Sequence, residues 1–316
     1  MPPFWTVDPT GPVIIARMDD RLASLRAATA PPRRSIVELI QGGVLDAELA
    51  ALAWVLLEAR LPLIVSGLAQ GAGKTTLFEA LLDFLPSTVR RIDLAGSDEG
   101  FAWLPEAGAL GWRAAEDPDL RRAATAIPVS AASSYLVAAE LSAHLPLYTW
   151  GAAARTLVRA ASIGYGIGAT IHADRLEDVH DELRTVGLTD DELTYLGLIV
   201  VVRAERGPDG HVHRRVVAAH YARPVGRDEH GHVQRLPPAV IAARDERTDR
   251  LEHFAWGVMP ELAIRLGRRA GDLERDQAER AAVLRRLAEE GVVDVDSVRA
   301  QIAEVHRRHS ALPPLH

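Results

Sequence analysis

Cysteine is absent from the 316 residues, and lysine occurs once, at Lys74. The first absence excludes a disulfide framework and thiolate chemistry, and it suits the cytoplasm. No apolar run approaches the roughly 18 residues that would span a bilayer. The start, Met1-Pro2-Pro3-Phe4-Trp5, lacks the basic flank and apolar core of a signal peptide. Basic charge is not in excess either: the net charge of −7 argues against broad nucleic-acid binding, leaving only a local arginine cluster open to it. What remains, 48% hydrophobic and 25% charged, is the composition of an ordinary globule of one large domain or a core with an appendage.

The single lysine sits in the most informative stretch of the chain, Leu61-Pro62-Leu63-Ile64-Val65-Ser66-Gly67-Leu68-Ala69-Gln70-Gly71-Ala72-Gly73-Lys74-Thr75-Thr76-Leu77. An apolar run, then glycines, then Lys-Thr-Thr and an apolar helical pattern give the order strand, tight loop, helix. Such a loop turns successive N–H groups toward phosphate oxygens. The helix N-terminus adds partial positive charge, Lys74 reaches the β/γ-phosphates and the Thr75 hydroxyl can ligate Mg²⁺. Gly71, Ala72, Gly73, Lys74, Thr75 and Thr76 are therefore the expected nucleotide cradle, with ATP and Mg²⁺ as cofactors. The first glycine of the G-x-x-x-x-G-K-[ST] pattern falls at Leu68, one place after Gly67. A compact ammonium on a flexible stem suits a phosphate cradle, and its survival in a chain otherwise served by arginine points the same way.

Strands are also expected at Val89–Leu94, Ser134–Glu140, Ile167–Ile171, Leu198–Arg203 and His211–His220, the last two flanking the hairpin turn Gly207-Pro208-Asp209-Gly210. Helices are expected from a capping box at Ser35–Glu38, over Leu45–Arg60, Asp119–Ala126, Trp150–Ile163 and Leu176–Val186, and in three C-terminal stretches. Strands alternating with helices after a P-loop indicate a parallel, doubly wound α/β sheet with ligands at the carboxyl ends of the strands. The expected boundaries are an N-terminal arm or reduced domain over 1–34, an α/β core over 35–222, a polar linker over 223–254 and a C-terminal helical domain over 255–316.

Three further groups carry candidate chemistry. Glu140 ends an apolar strand, where an acid beside the P-loop would hold Mg²⁺ through water or polarise the attacking water; a helix-starting Glu at a sheet edge is the plainer alternative. His172 ends Ala169-Thr170-Ile171 and could contact a γ-phosphate, though a histidine after a strand is often structural. Asp98 and Glu99 follow the Val89–Leu94 strand, where an acid could activate water, or could simply build a loop. Arg155 and Arg159 share a helix face and are open to phosphate, to a neighbouring subunit or to solvent alone.

Taken together, Gly73-Lys74-Thr75-Thr76-Leu77, the Leu136–Leu141 strand and the Thr170-Ile171-His172-Ala173-Asp174 box resemble, in kind and order, the type II/type IV secretion and pilus-assembly ATPases. Residues 119–124 resemble that family's helix before the acidic strand, and Glu279–Val298 is similar to archaeal-type C-terminal helices. The resemblance implies a RecA-like P-loop NTPase core forming a cytoplasmic hexameric ring at the inner membrane. Mg-ATP hydrolysis would there drive fibre assembly, protein secretion or DNA transfer, with a membrane platform protein and pilin or secretion components as partners. By position it assigns Lys74 and Thr75 to the Walker A pair, Glu140 to the Walker B glutamate, which shares the metal with Thr75, His172 to the His-box histidine, and Glu99, ahead of Asp98, to the Asp-box acid. Departures are Ala139 for glycine, Ser142 for arginine, Ile163-Gly164-Tyr165 for Thr-Gly-His, and a short N-terminal segment. They make a degenerate ATP-binding ring partner with slow turnover the second reading, and a small-molecule kinase the third.

Overall fold

The computed structural model describes residues 33–113, 129–207, 210–227, 230 and 232–311. The expected N-terminal arm up to residue 32, the Asp119–Ala126 helix and the centre of the 207–210 turn lie outside these. Ten strands are present among the described residues: β1 Leu63–Ser66, β2 Arg90–Asp93, β3 Ser134–Leu141, β4 Gly166–Ile171, β5 Leu198–Arg206, β6 Val212–Tyr221, β7 Gly226–Arg227, β8 Val233–Gln234, β9 Ala239–Asp245 and β10 Arg250–His253. Eight of them form one sheet in the order β10-β9-β6-β5-β1-β4-β3-β2.

The five strands from β5 to β2 are mutually parallel, and helices cover both of their faces. This is the expected α/β fold. β1 is wholly buried, as a central parallel strand must be, which is why its sequence reads as a continuous apolar run. Gly168 on β4 makes room for the rings of Phe78 and Tyr135: a Cβ there would lie 2.9 Å from each.

Two expectations need correction. The expected hairpin partner β6 pairs antiparallel with β5, but beyond it β9 and β10 continue the sheet, each antiparallel to its neighbour, where a linker is expected. Residues 223–254 are accordingly not a linker; Ile241 and Ala242 of β9 are fully buried against the same core as β1. The short apolar run Ala239–Ala243 suffices for a strand because its partner β6 already exists, although two prolines before it and the charged stretch from Arg244 after it mask it in the sequence.

Nor do the C-terminal helices stand apart. Met259–Arg265, Ala270–Glu289 and Val295–Ala311 share one hydrophobic cluster with the helix Ala47–Glu58. Trp54, fully buried, stacks on Phe84 at 5.0 Å and donates from Nε1 to His306 Nε2 at 2.9 Å. The Arg280 guanidinium lies 5.0 Å over Trp54 and pairs with Asp276 and Glu58. The described residues from Arg34 onward make one compact unit. Removing a buried tryptophan of this kind costs about 3–5 kcal/mol, enough to threaten a typical domain.

Candidate active site

The cradle is built where β1 hands over to the helix Lys74–Leu82. The Gly67 N–H donates to the Ile171 carbonyl at 3.2 Å, so the chain leaving β1 stays zipped to the end of β4. A Cβ on Gly67 would lie 2.6 Å from the Val202 carbonyl oxygen, a distance no side chain tolerates. That contact explains the offset glycine of the motif. The residue in the pattern's first place, Leu68, is 62% exposed and needs no glycine. Gly73 caps the helix with φ +92° and no capping side chain, so the first-turn N–H groups face outward for an anion.

Lys74 is 7% exposed, and burial pushes its ammonium below the ordinary lysine value, with the Glu140 carboxylate pulling it back. Its Nζ donates to the Gly67 carbonyl at 2.9 Å and lies 3.2 Å from His172 Nδ1. An ammonium has three donors, so one remains for a ligand. Burial and pairing hold the long side chain ready over the loop.

His172 joins the two halves of the site. Its Nδ1 faces Lys74 on one side and the Leu68 carbonyl at 3.1 Å on the other, and its Nε2 is 2.6 Å from Glu140 Oε1. Those contacts depend on the tautomer. A ring with its proton on Nε2 accepts from Lys74 through Nδ1, whereas one with its proton on Nδ1 donates to the Leu68 carbonyl. Glu140 Oε1 is buried, and the approach of His172 falls outside hydrogen-bond alignment, so this oxygen keeps acceptor capacity.

Glu140 reaches His172 because β3 carries a bulge. Ala138 pairs with Ala169 but Leu141 pairs with Ile171, so one extra residue is inserted opposite β4. The Thr170 hydroxyl donates to the Ala139 carbonyl at 2.7 Å, satisfying the backbone group that the bulge leaves over. Such an insertion re-aims a side chain, and here it turns Glu140 across β4 toward the P-loop. The acid is therefore not on the strand beside β1: β4 lies between them, and His172 bridges the gap.

The remaining candidates have other occupations. Glu99 is 6% exposed and accepts from the Ala95 N–H at 3.0 Å, the Phe101 N–H at 2.7 Å and Trp103 Nε1 at 3.0 Å, so its carboxylate organises its own loop. Asp98 is exposed and accepts from the Ser97 hydroxyl at 3.3 Å. Arg155 donates to the Val186 carbonyl at 2.5 Å, and Arg159 pairs with Glu192 at 2.6 Å and donates to Leu110. Both arginines are thus tied down within the chain. Thr75 is exposed and Thr76 half-buried on the first helical turn; Gly71 is exposed at φ +79°, and Ala72 is buried with its N–H on the Ala69 carbonyl.

Several neighbours escape a reading of the sequence. His144 lies edge-on to His172 with ring centres 6.3 Å apart, and Ser142 pairs with it. Burial, followed by the Glu140 charge, raises the Tyr148 hydroxyl above its ordinary value. Asp174 of the His172 loop is gripped from β5 by Arg203, with two bonds of 3.0 Å. Arg214 of β6 donates from Nε to the Gly71 carbonyl at 2.9 Å. Only the arginine-rich texture of Arg203–Arg215 signals these last two, and it does not say where they point.

No protein-family model matches the chain. No curated protein matches it either. Among solved structures, the VirB11 ATPase of the Brucella suis type IV secretion system, in complex with sulphate, is similar at 18% identity and a TM-score of 0.37. That match covers 65% of this chain and 55% of that one. The Legionella pneumophila ATPase DotB is similar at 13% identity and a TM-score of 0.30, over 78% of this chain and 58% of its own. For the Yersinia pseudotuberculosis ATPase DotB the values are 11%, 0.33, 82% and 60%. The chain thus spans under two thirds of the length of each. At such identities, chemistry has to be read from the site itself.

Proposed function

We propose that the chain binds Mg-ATP at Gly71–Thr76 and hydrolyses it, as a motor of the type II/type IV secretion and pilus-assembly class. It would work as a homo-oligomeric ring, hexameric in that class, on the cytoplasmic face of the inner membrane. A platform protein and pilin or secretion components would be its partners, and the cargo a fibre subunit, a secreted protein or DNA. The observation that carries this reading is the convergence of Lys74, His172 and Glu140, from three different elements, at the carboxyl edge of the parallel strands.

In this reading Lys74 and the first-turn N–H groups hold the phosphate chain and offset its charge. Glu140 takes the proton of a water attacking the terminal phosphorus as the bond to the leaving ADP oxygen breaks. A buried carboxylate oxygen with no aligned donor is suited to that role. His172 touches both partners and so links phosphate contact to the state of the base. The residues fit Mg²⁺, since the Thr75 hydroxyl on the first turn is a hard donor of the kind that ion prefers and Glu140 would hold it through water, which leaves its free oxygen to act as the base. Bound there, the ion would screen phosphate charge.

The second reading, a ring partner with slow turnover, is favoured by one observation: Glu99, the expected Asp-box acid, has its carboxylate already occupied by three N–H groups. Steady-state ATP hydrolysis with Mg²⁺, beside Lys74→Ala and Glu140→Gln and with mass in solution recorded, separates the two. Turnover that rises with assembly and disappears in both variants supports the motor. ATP binding lost in Lys74→Ala with no turnover in any assembly state supports the slow partner. A wild-type chain that binds no ATP overturns both.

A further inference from the structure

We propose that Arg214 is a phosphate-contacting residue of the nucleotide site, supplied by the same chain from β6; this rests on the nucleotide-binding reading above. Arg214 lies 140 positions after Lys74 in the sequence, beyond every motif of the cradle, yet it lies across the P-loop. A Cβ built on Gly73 would meet the Arg214 Cδ at 3.0 Å, which places the arginine stem flat against the helix cap. Its Nε donates to the Gly71 carbonyl at 2.9 Å, on the other side of buried Ala72. One side chain thus touches both glycines that give the loop its left-handed turns, φ +79° at Gly71 and φ +92° at Gly73.

The rest of the guanidinium is what suggests a ligand. Among the described residues the structure gives no hydrogen bond or ion pair to either terminal nitrogen of Arg214, and the residue is exposed. The neighbouring arginines differ. Arg203 is bound to Asp174, Arg215 and Arg244 to Asp249, and Arg206 to the Gly210 carbonyl. Arg214 alone of these five keeps its fork open, and it does so beside an anion cradle. A planar fork of N–H donors matches phosphate oxygens in pairs. Lys74, one ammonium partly occupied by Gly67 and His172, leaves most of a polyphosphate's charge unopposed, and a second cation fixed by its Nε supplies what is missing. β5 and β6 hold it there through the pairing of Ala204 with Arg214, so the extension of the sheet past the parallel core contributes directly to the site.

The test is nucleotide binding by the full chain, measured by calorimetry with ATP, ADP and AMP, for wild type, Lys74→Ala, Arg214→Ala and Arg214→Lys. The expected result is that Arg214→Ala weakens ATP and ADP by roughly ten- to a hundred-fold, the loss of a charge-assisted contact. AMP should be affected less. Arg214→Lys should recover part of the loss, and the melting temperature without nucleotide should stay at the wild-type value. Wild-type affinity for ATP in Arg214→Ala overturns the role of Arg214 while leaving the P-loop reading intact. So does a loss accompanied by a lower nucleotide-free melting temperature and no recovery in Arg214→Lys, because that pattern marks a mere prop under Gly71. If the wild type binds none of the three nucleotides, or binds them unchanged in Lys74→Ala, the P-loop reading falls and takes this one with it.

Discussion

The loop after β2 and the bulged end of β3, a neighbouring parallel strand, each carry a glutamate exposed to 6%, and the two carboxylates are used in opposite ways. Glu99 accepts three N–H groups of its own loop, an arrangement that holds backbone in place and leaves little acceptor capacity. Glu140 faces a histidine across the sheet and keeps an oxygen with no aligned donor. The loops also touch. The Ser97 N–H donates to the Pro146 carbonyl at 2.8 Å, and Gly96 approaches Pro146 and Leu147 so closely that a Cβ would lie 2.4 Å from backbone oxygen. One loop therefore braces the other. Burial alone does not identify a reactive carboxylate; its remaining acceptor capacity does.

This contrast can be broken most sharply at Glu140. Glu140→Gln should lower ATP turnover by about two to four orders of magnitude, the usual loss of a general base, while the melting temperature moves little. Glu99→Ala should do the reverse. Leaving buried N–H groups without their acceptor should cost about 3 kcal/mol in urea unfolding, and any loss of turnover should shrink when the assay is run well below the melting transition. If Glu99→Ala instead folded as well as wild type and lost turnover outright, the assignment of the two loops would be inverted. Trp103→Phe removes one of the three donors and should cost about 1 kcal/mol, without the effect of Glu99→Ala on its backbone partners.

The smallest effect lies in neither loop. Burial lowers His180 and His220 below 6.5, with the Arg184 charge adding to the shift at the first. The unfolded chain gains protons at these positions near the ordinary value while the folded chain stays neutral. Their contribution is therefore whole above 6.5 and declines as pH falls from there toward the lowered folded values. Replacing both by glutamine should flatten the decline in melting temperature on the acid side and leave the alkaline side unchanged. An unchanged acid slope would mean that other groups carry it.

How far the sequence discloses all this depends on the range of the interaction. The P-loop, the five parallel strands and the helix between β1 and β2 follow from local patterns, an apolar run or a helical period bounded by glycine, and all are present. What depends on pairing is hidden. Nothing in Val137-Ala138-Ala139-Glu140 announces a bulge, so the side of the sheet to which Glu140 turns is settled only by its register against β4. The strands β9 and β10 look like polar linker because Arg244, Asp245, Glu246 and Arg250 outweigh a run of five small apolar residues. Glu99 belongs to a Ser/Asp/Glu/Gly cluster that loop-building and chemistry both favour, and only its three donors separate the two. The Ser35 cap was legible by half: its hydroxyl accepts from the Glu38 N–H at 3.1 Å, but the Glu38 carboxylate faces Arg34 rather than closing the box.

The lone lysine has an experimental consequence of its own. Apart from the α-amino group, the molecule offers an amine-directed reagent one target, and that target lies inside the site. Its lowered protonation raises the share of free amine, while burial against Gly67 restricts access. The extent of acylation, read as a single mass increment on the intact chain, would therefore follow occupancy of the cradle. A protease specific for lysine would likewise have one bond to cut, between Lys74 and Thr75. The chain carries an intrinsic single-site probe of whether the proposed phosphate cradle is open or filled.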